Sequence, residues 1–208
     1  MRPSRRRPPG ASVLLALPAL LLAAPGLARL FQLDRATVLG GEAWRLVTCH
    51  WTHWTPGHLA WDLAAFALLA GACELHPACG RRRMLAAVAL AAVAIPAVLW
   101  IALPEMDRYR GLSGLDSALF VLLAVTLLRH ELAAGNRWTA GLGAAALAAL
   151  AAKIVFETAT GAALFVAPQG AFVPVPLAHL VGGVVGGAIG GWPLKLGRSK
   201  VELSMCES

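Results

Sequence analysis

Long apolar runs separated by short polar stretches recur along the whole chain. A helix needs about 20 mostly apolar residues to cross the hydrocarbon core of a bilayer, and six segments approach that length. Each is predicted to be helical, because a backbone exposed to lipid must satisfy its own hydrogen bonds. The predicted segments are 11–30, 57–75, 84–103, 112–129, 138–156 and 175–192. The pattern therefore predicts an all-α, polytopic membrane protein with six spans.

The composition supports one membrane domain without a separate soluble domain. Hydrophobic residues make up 58% of the 208 residues and charged residues only 14%, which is more apolar than soluble domains are. We predict a membrane domain over 11–192, a basic cytoplasmic N-terminus over 1–10 and a cytoplasmic tail over 193–208.

Basic residues predict the orientation of the spans. Twelve of the 18 Lys and Arg residues precede the first segment, follow the sixth, or lie between segments two and three or four and five. By the positive-inside rule these regions are cytoplasmic, so the loops 31–56, 104–111 and 157–174 face the outer side. The net charge of +7 is then a topology signal, and nucleic-acid binding is not needed to explain it.

The first segment also has an alternative interpretation. Arg5–Arg7, the apolar stretch Val13–Ala24 and small residues near Gly26 together resemble a cleaved signal peptide. Six spans account better for the even alternation of basic and non-basic loops.

A serine stands between two glycines at the start of the fourth segment, in the stretch Gly111-Leu-Ser-Gly114. The glycines let backbone approach closely and leave the Ser113 hydroxyl unshielded. A helix N-terminus also presents unpaired N–H groups that can hold a developing oxyanion. Serine is equally a favoured helix N-cap, so Ser113 alone indicates either a nucleophile or a cap.

The sixth segment carries one histidine beside a ladder of glycines. Gly182, Gly186 and Gly190 recur every four residues, a spacing that permits near-backbone contact with another helix. A neutral imidazole is a competent general base near neutral pH. His179 therefore either serves a serine on a neighbouring helix or only hydrogen-bonds across the bundle, and Ser113 with His179 is a candidate dyad.

The first outer loop and the second segment concentrate histidine and tryptophan. His58 and Asp62 are four residues apart and share a helical face, at a depth where ionisable groups are costly and usually line a cavity. His50 and His53 fit an interfacial belt of hydrogen-bonded side chains. The histidines lack the Glu-bearing i, i+4 pattern of helical zinc proteases, so we predict no metal and no cofactor.

Together these motifs resemble the rhomboid family of intramembrane serine proteases, and the resemblance covers most of the chain. The stretch Tyr109-Arg-Gly-Leu-Ser-Gly114 further resembles rhombosortases, which process C-terminal Gly-Gly anchors of exported proteins. The motifs that carry the family resemblance are Glu42-Ala-Trp-Arg45, His53, His58-x-x-x-Asp62, Glu74, Gly111-Leu-Ser-Gly114 and Ala178-His179-x-x-Gly182-x-x-x-Gly186.

The resemblance implies a six-transmembrane-helix bundle of the compact bacterial form, in the inner membrane, with its active site opening to the outer side. Ser113 would be the nucleophile and His179 the general base and then the general acid. The backbone N–H groups of Leu112 and Ser113 and the His58 side chain would donate to the oxyanion. Substrates would be transmembrane or membrane-anchored proteins entering from the lipid bilayer beside the fifth span, with the loop 157–174 over the cavity.

Two positions depart from the family. Asp62 stands where asparagine is usual, so its carboxyl is either kept protonated or, as we favour, orients His58. Ser117 stands where many relatives have an aromatic residue under the histidine. Asp116 or Ser117 would then support His179 in a triad-like arrangement, or Asp116 contacts a polar group on another span.

Three further expectations complete the sequence analysis. Lys153 and Glu157, four residues apart in the fifth segment, are predicted to pair. A catalytically inactive rhomboid-like protein that binds transmembrane clients is the main alternative to a protease, although both Ser113 and His179 are present. A small transporter would need charged groups along a path through the membrane, whereas the polar candidates here share one depth.

Overall fold

The computed structural model describes residues 10–162 and 175–193, which are mostly helical. The α-helices are α1 (Ala11–Leu21), α2 (Pro25–Phe31), α3 (Arg35–Leu39), α4 (Arg45–Thr48), α5 (Pro56–Leu75), α6 (Gly80–Ala102), α7 (Ser113–Ala133), α8 (Arg137–Thr160) and α9 (Pro176–Gly191). A 3-10 turn spans Cys49–Trp51, and the antiparallel strands β1 (Leu33–Asp34) and β2 (Arg108–Tyr109) pair Leu33 with Tyr109.

The predicted all-α, multi-pass membrane fold is confirmed. Helices α5, α6 and α8 are long and apolar enough to cross a membrane. Helices α1 and α9 are apolar but shorter, with 11 and 16 residues. Passage of all six predicted segments through the bilayer stays a prediction. The predicted N-terminus over 1–10, the tail over 193–208 and the loop over 157–174 fall mostly outside the described residues.

The first predicted segment is not one helix, which corrects the expectation for 11–30. Helix α1 ends at Leu21 and α2 begins at Pro25. Ala24 adopts an extended conformation, with φ −62° and ψ 129°, because the ring of a following proline disfavours the helical region for the residue before it. The other five predicted segments coincide with α5 to α9 within a few residues.

A buried arginine shapes the segment that leads from α2 to α5. Arg45 donates from Nε to Glu42 Oε2 at 2.6 Å and from Nη1 to the carbonyls of Arg29 and Gln32 at 2.8 and 3.2 Å. The guanidinium thereby satisfies carbonyls at the end of α2 that lack helical partners. The Glu42-x-x-Arg45 motif is therefore an architectural element that positions the chain before His53 and His58.

Helix α7 lies at the centre of the bundle and packs against α5, α6, α8 and α9. Its contact with α9 is made by backbone atoms. A Cβ added at Gly182 would overlap the carbonyl oxygen of Gly114, and one at Gly186 would overlap that of Ala118. Only glycine at these positions lets the two helices approach this closely. Gly190 continues the same track, where an added Cβ would lie 3.1 Å from the Val125 side chain.

A second row of glycines on α9, formed by Gly183, Gly187 and Gly191, makes looser contacts and supplies a control. We expect Gly186→Ala to force α7 and α9 apart and to destabilise the protein by about 1–3 kcal/mol, the usual cost of overpacking. Gly187→Ala would add a methyl 3.5 Å from Val121 Cγ1, an ordinary contact, and should be neutral or slightly stabilising. Unfolding in mixed detergent micelles measures both, and equal losses would contradict the backbone contact.

Candidate active site

A glycine in a left-handed conformation leads the chain into α7. Gly111 has a φ of +126°, which side chains other than hydrogen rarely allow. A Cβ there would lie 3.1 Å from the His58 ring and 3.2 Å from Asp62 Oδ2. The backbone therefore passes directly over His58 and Asp62 just before Ser113, so the start of α5 packs beside the candidate nucleophile.

The contact between α7 and α9 places Ser113 and His179 on facing helix starts. A Cβ at Gly114 would lie 3.2 Å from the Ala178 carbonyl oxygen, so the immediate neighbours of both residues touch. Ser113 is half-buried and His179 is buried. Within the described residues no hydrogen bond joins the two side chains, and catalytic hydrogen bonds often form fully only when substrate is bound.

Asp62 is the hub of a buried polar cluster beside Ser113. Its Oδ2 lies 3.1 Å from His58 Nε2 and 3.3 Å from His53 Nε2, and it accepts the Leu112 backbone N–H at 3.0 Å. All of these side chains are buried. Burial lowers the pKa of His53, although the Asp62 carboxylate opposes that change. The cluster therefore brings two imidazoles to one oxygen of a single carboxylate.

Asp62 Oδ2 occupies hydrogen-bond donors that an oxyanion would use. Leu112 N–H and His58, which the family resemblance implies as oxyanion donors, both point at Asp62 Oδ2. The contact to His58 fits our interpretation that Asp62 orients that ring. A negative carboxylate at this place would also compete with an incoming oxyanion for the same donors, so Asp62 must shift or become neutral before they can serve a substrate.

The loop above the cluster is held by Arg110. Its guanidinium donates to the His53 carbonyl at 2.9 Å and to Gln32 Oε1 at 2.7 Å, and it lies 4.4 Å from the Trp54 ring centroid.

His50 lies away from the Asp62 cluster, with its Nε2 3.1 Å from the Ala92 carbonyl oxygen, and burial lowers the pKa of His50 to about 4. Among the described residues no group of three or more His, Cys, Asp or Glu side chains is arranged to hold a metal ion.

Asp116 is buried in α7 and makes no hydrogen bond to His179 within the described residues. Its Oδ1 has no hydrogen-bond partner in the part of the chain that the structure describes. Ser117 donates from Oγ to the Ser113 carbonyl of its own helix at 2.9 Å. Neither side chain hydrogen-bonds to the imidazole, so the triad-like arrangement through Asp116 or Ser117 finds no support in the geometry.

Glu157 contacts His179 instead, which the sequence analysis missed. Lys153 Nζ lies 2.8 Å from both Glu157 oxygens, so the pairing predicted from their spacing forms. Glu157 Oε2 also lies 3.1 Å from His179 Nδ1, and Lys153 Nζ lies 3.3 Å from the same nitrogen. The one signal in the sequence was an acidic residue late in an apolar helix, where an unpaired charge is costly.

Comparison with protein-family models gives a match over most of the chain. Residues 40–195 match the family model described as the Rhomboid domain. The matched range runs from the end of α3 through α9 and includes the Asp62 cluster, Ser113, Glu157 and His179. The comparison with curated proteins found no match.

Because Asp62 contacts several buried polar groups, its substitutions are predicted to lower the stability of the fold by different amounts. We expect Asp62→Ala to destabilise the protein by about 1–3 kcal/mol, because it leaves the buried Leu112 N–H without its acceptor and removes the contact with His58 Nε2. Asp62→Asn keeps an oxygen acceptor and should cost less. Unfolding in detergent micelles compares the two variants, and an equal cost for both would show that the hydrogen bonds to Oδ2 contribute little.

Proposed function

This chain belongs to the rhomboid family, whose members are generally intramembrane serine proteases, and we propose that it cleaves a transmembrane or membrane-anchoring segment of other proteins. The observation that carries the proposal is the backbone contact of α7 with α9, which brings the neighbours of Ser113 and His179 together. Such a contact holds a nucleophile and a base on rigid helices rather than on loops.

The proposed reaction proceeds in two stages. In the first, His179 accepts the Ser113 hydroxyl proton while Oγ attacks the peptide carbonyl, and it then gives that proton to the leaving amine. In the second, His179 takes a proton from water, which attacks the acyl-enzyme, and returns it to Ser113 as the carboxylic acid leaves. The peptide bond is hydrolysed without a metal or an organic cofactor in this scheme.

Stabilisation of the oxyanion is the step of the proposed reaction that the observed contacts restrict most. The Ser113 and Leu112 backbone N–H groups and the His58 side chain would stabilise it. Substrate binding must therefore displace Asp62 Oδ2 from Leu112 N–H and His58, or Asp62 must be protonated at that stage. His53 Nε2 lies 3.3 Å from Oδ2 and has no hydrogen-bond partner among the described residues, so it is within reach of the displaced carboxyl inside the protein.

The proposed setting is the bacterial inner membrane with both termini cytoplasmic. The basic residues at the start of α6 (Arg81–Arg83), near the end of α7 (Arg129) and at the start of α8 (Arg137) support this orientation by the positive-inside rule. It places the starts of α5, α7 and α9, and hence the site, on the outer side. Within the family, a rhombosortase-like role in processing C-terminal Gly-Gly anchors is the finer proposal, supported by the Tyr109–Gly114 stretch.

A catalytically inactive protein that binds transmembrane clients is the second candidate. The observation that favours it is the Asp62 carboxylate, which occupies two of the implied oxyanion donors. A chain that kept Asp62 in this place throughout would bind a helix without cleaving it. The reactivity of Ser113 distinguishes the two functions.

We expect purified protein in detergent to be labelled by a fluorescent fluorophosphonate at Ser113. Ser113→Ala and His179→Ala should abolish labelling, because one removes the nucleophile and the other the base. Ser117→Ala is the matched control and should be labelled like the wild type, since the Ser117 hydroxyl is bound within its own helix. In-gel fluorescence and peptide mapping measure the result. An unlabelled, folded wild type would favour the client-binding function.

Asp62→Asn tests the constraint on the oxyanion. We expect it to react with the fluorophosphonate at the wild-type rate or faster, because it removes the negative charge near the developing oxyanion and keeps an oxygen for Leu112 N–H. The second-order labelling rate constant measures the effect, with Ser113→Ala in the same background as the blank. Complete loss of labelling in folded Asp62→Asn would show that the carboxyl itself is required.

A further inference from the structure

Within the described part of the chain, His179 meets a carboxylate at one of its two ring nitrogens. Nδ1 lies 3.1 Å from Glu157 Oε2, whereas Nε2 has no hydrogen bond to any described residue. In a neutral imidazole one nitrogen carries the proton and the other accepts, and the partner of the first decides which is which. A carboxylate at Nδ1 holds the proton there and leaves the lone pair of Nε2 available as a base.

Glu157 is itself held as an anion by Lys153. The Glu157 side chain is only 2% exposed, and a lone buried carboxylate would be costly. Lys153 Nζ, 2.8 Å from both oxygens, compensates that charge. The titratable side chains within hydrogen-bond distance of His179, among the described residues, are these two, and both come from α8.

Lys153 also lies 3.3 Å from His179 Nδ1, and this contact has a definite chemical meaning. An ammonium can only donate, so a hydrogen bond from Lys153 to Nδ1 would put the imidazole proton on Nε2 and disable the base. The shorter distances to both Glu157 oxygens favour Lys153 as the partner of the carboxylate. Nδ1 is then free to donate its proton to Glu157 Oε2.

We propose that Glu157 is a positioning residue for His179, so that the site is a Ser113–His179–Glu157 triad with Lys153 as the counter-ion of the acid. The proposal rests on the proposed function of Ser113 and His179. When His179 takes the serine proton it becomes an imidazolium, and the Glu157 carboxylate stabilises that charge without accepting the proton. The acid comes from α8, a helix that supplies neither the nucleophile nor the base.

Glu157→Gln is the isosteric test. We expect its fluorophosphonate labelling rate to fall by about tenfold or more, within the range of general-base contributions. The acidic limb of its rate–pH profile should move to lower pH, because the protonated form of the base loses a stabilising negative charge. Glu157→Asp should recover part of the rate. An unchanged rate and profile in Glu157→Gln would overturn the proposal.

The chain contains a matched control for the loss of a carboxylate beside a histidine. Glu131 Oε1 lies 3.0 Å from His130 Nδ1 at the far end of α7. Glu131→Gln therefore removes the same kind of contact away from the site and should leave the rate–pH profile unchanged. A shift of the same size in both variants would overturn the assignment, because the effect would then be a general electrostatic one.

A measurement that does not depend on activity tests the tautomer. In ¹⁵N-histidine-labelled protein, long-range ¹H–¹⁵N spectra report which nitrogen of each ring is protonated, and His179→Ala assigns the signals. We expect the Nδ1–H tautomer for His179 in the wild type and its loss in Glu157→Gln. An Nε2–H tautomer in the wild type would overturn the proposal. An unlabelled wild type with the Nδ1–H tautomer would overturn the proposed function instead.

Discussion

The site depends on one steric constraint, the direct contact of the α7 and α9 backbones. Gly182 and Gly186 leave no room for a Cβ against the carbonyls of Gly114 and Ala118, so the two helices approach more closely than side chains would allow. Ser113 and His179, the proposed nucleophile and base, lie on different helices and need that approach, because neither side chain is long. Helix packing and the chemistry of the site are therefore set by the same few glycines.

The second constraint is the cost of charge in an apolar bundle. Asp62 is offset by His53, His58 and a backbone N–H, and Glu157 is offset by Lys153 and His179. Each ionised group thus lies within a cluster of donors, as buried charges require. The two clusters flank the start of α7 and have opposite effects on the proposed reaction. In the proposed mechanism, Asp62 occupies donors that the oxyanion needs, whereas Glu157 positions the base.

The fold and part of the site could be predicted from local patterns along the chain. Hydropathy located α5 to α9, the four-residue spacing of glycines located the face of α9 that meets α7, and the i, i+4 spacing paired Lys153 with Glu157. These predictions need only the geometry of one helix. The break between α1 and α2 was missed because the hydropathy of an apolar run shows only how long the run is. It does not show that a proline within the run, here Pro25, interrupts the helix.

Tertiary structure alone decided which polar side chains meet across helices. Sequence motifs named Ser113 and His179, but the contact of Glu157 with His179 joins residues on α8 and α9, and Asp62 reaches Leu112 across 50 positions of the chain. Such contacts depend on how each helix is rotated and on how deeply it sits in the bundle. No periodicity within one segment encodes those quantities, because they follow from close packing among all the helices at once.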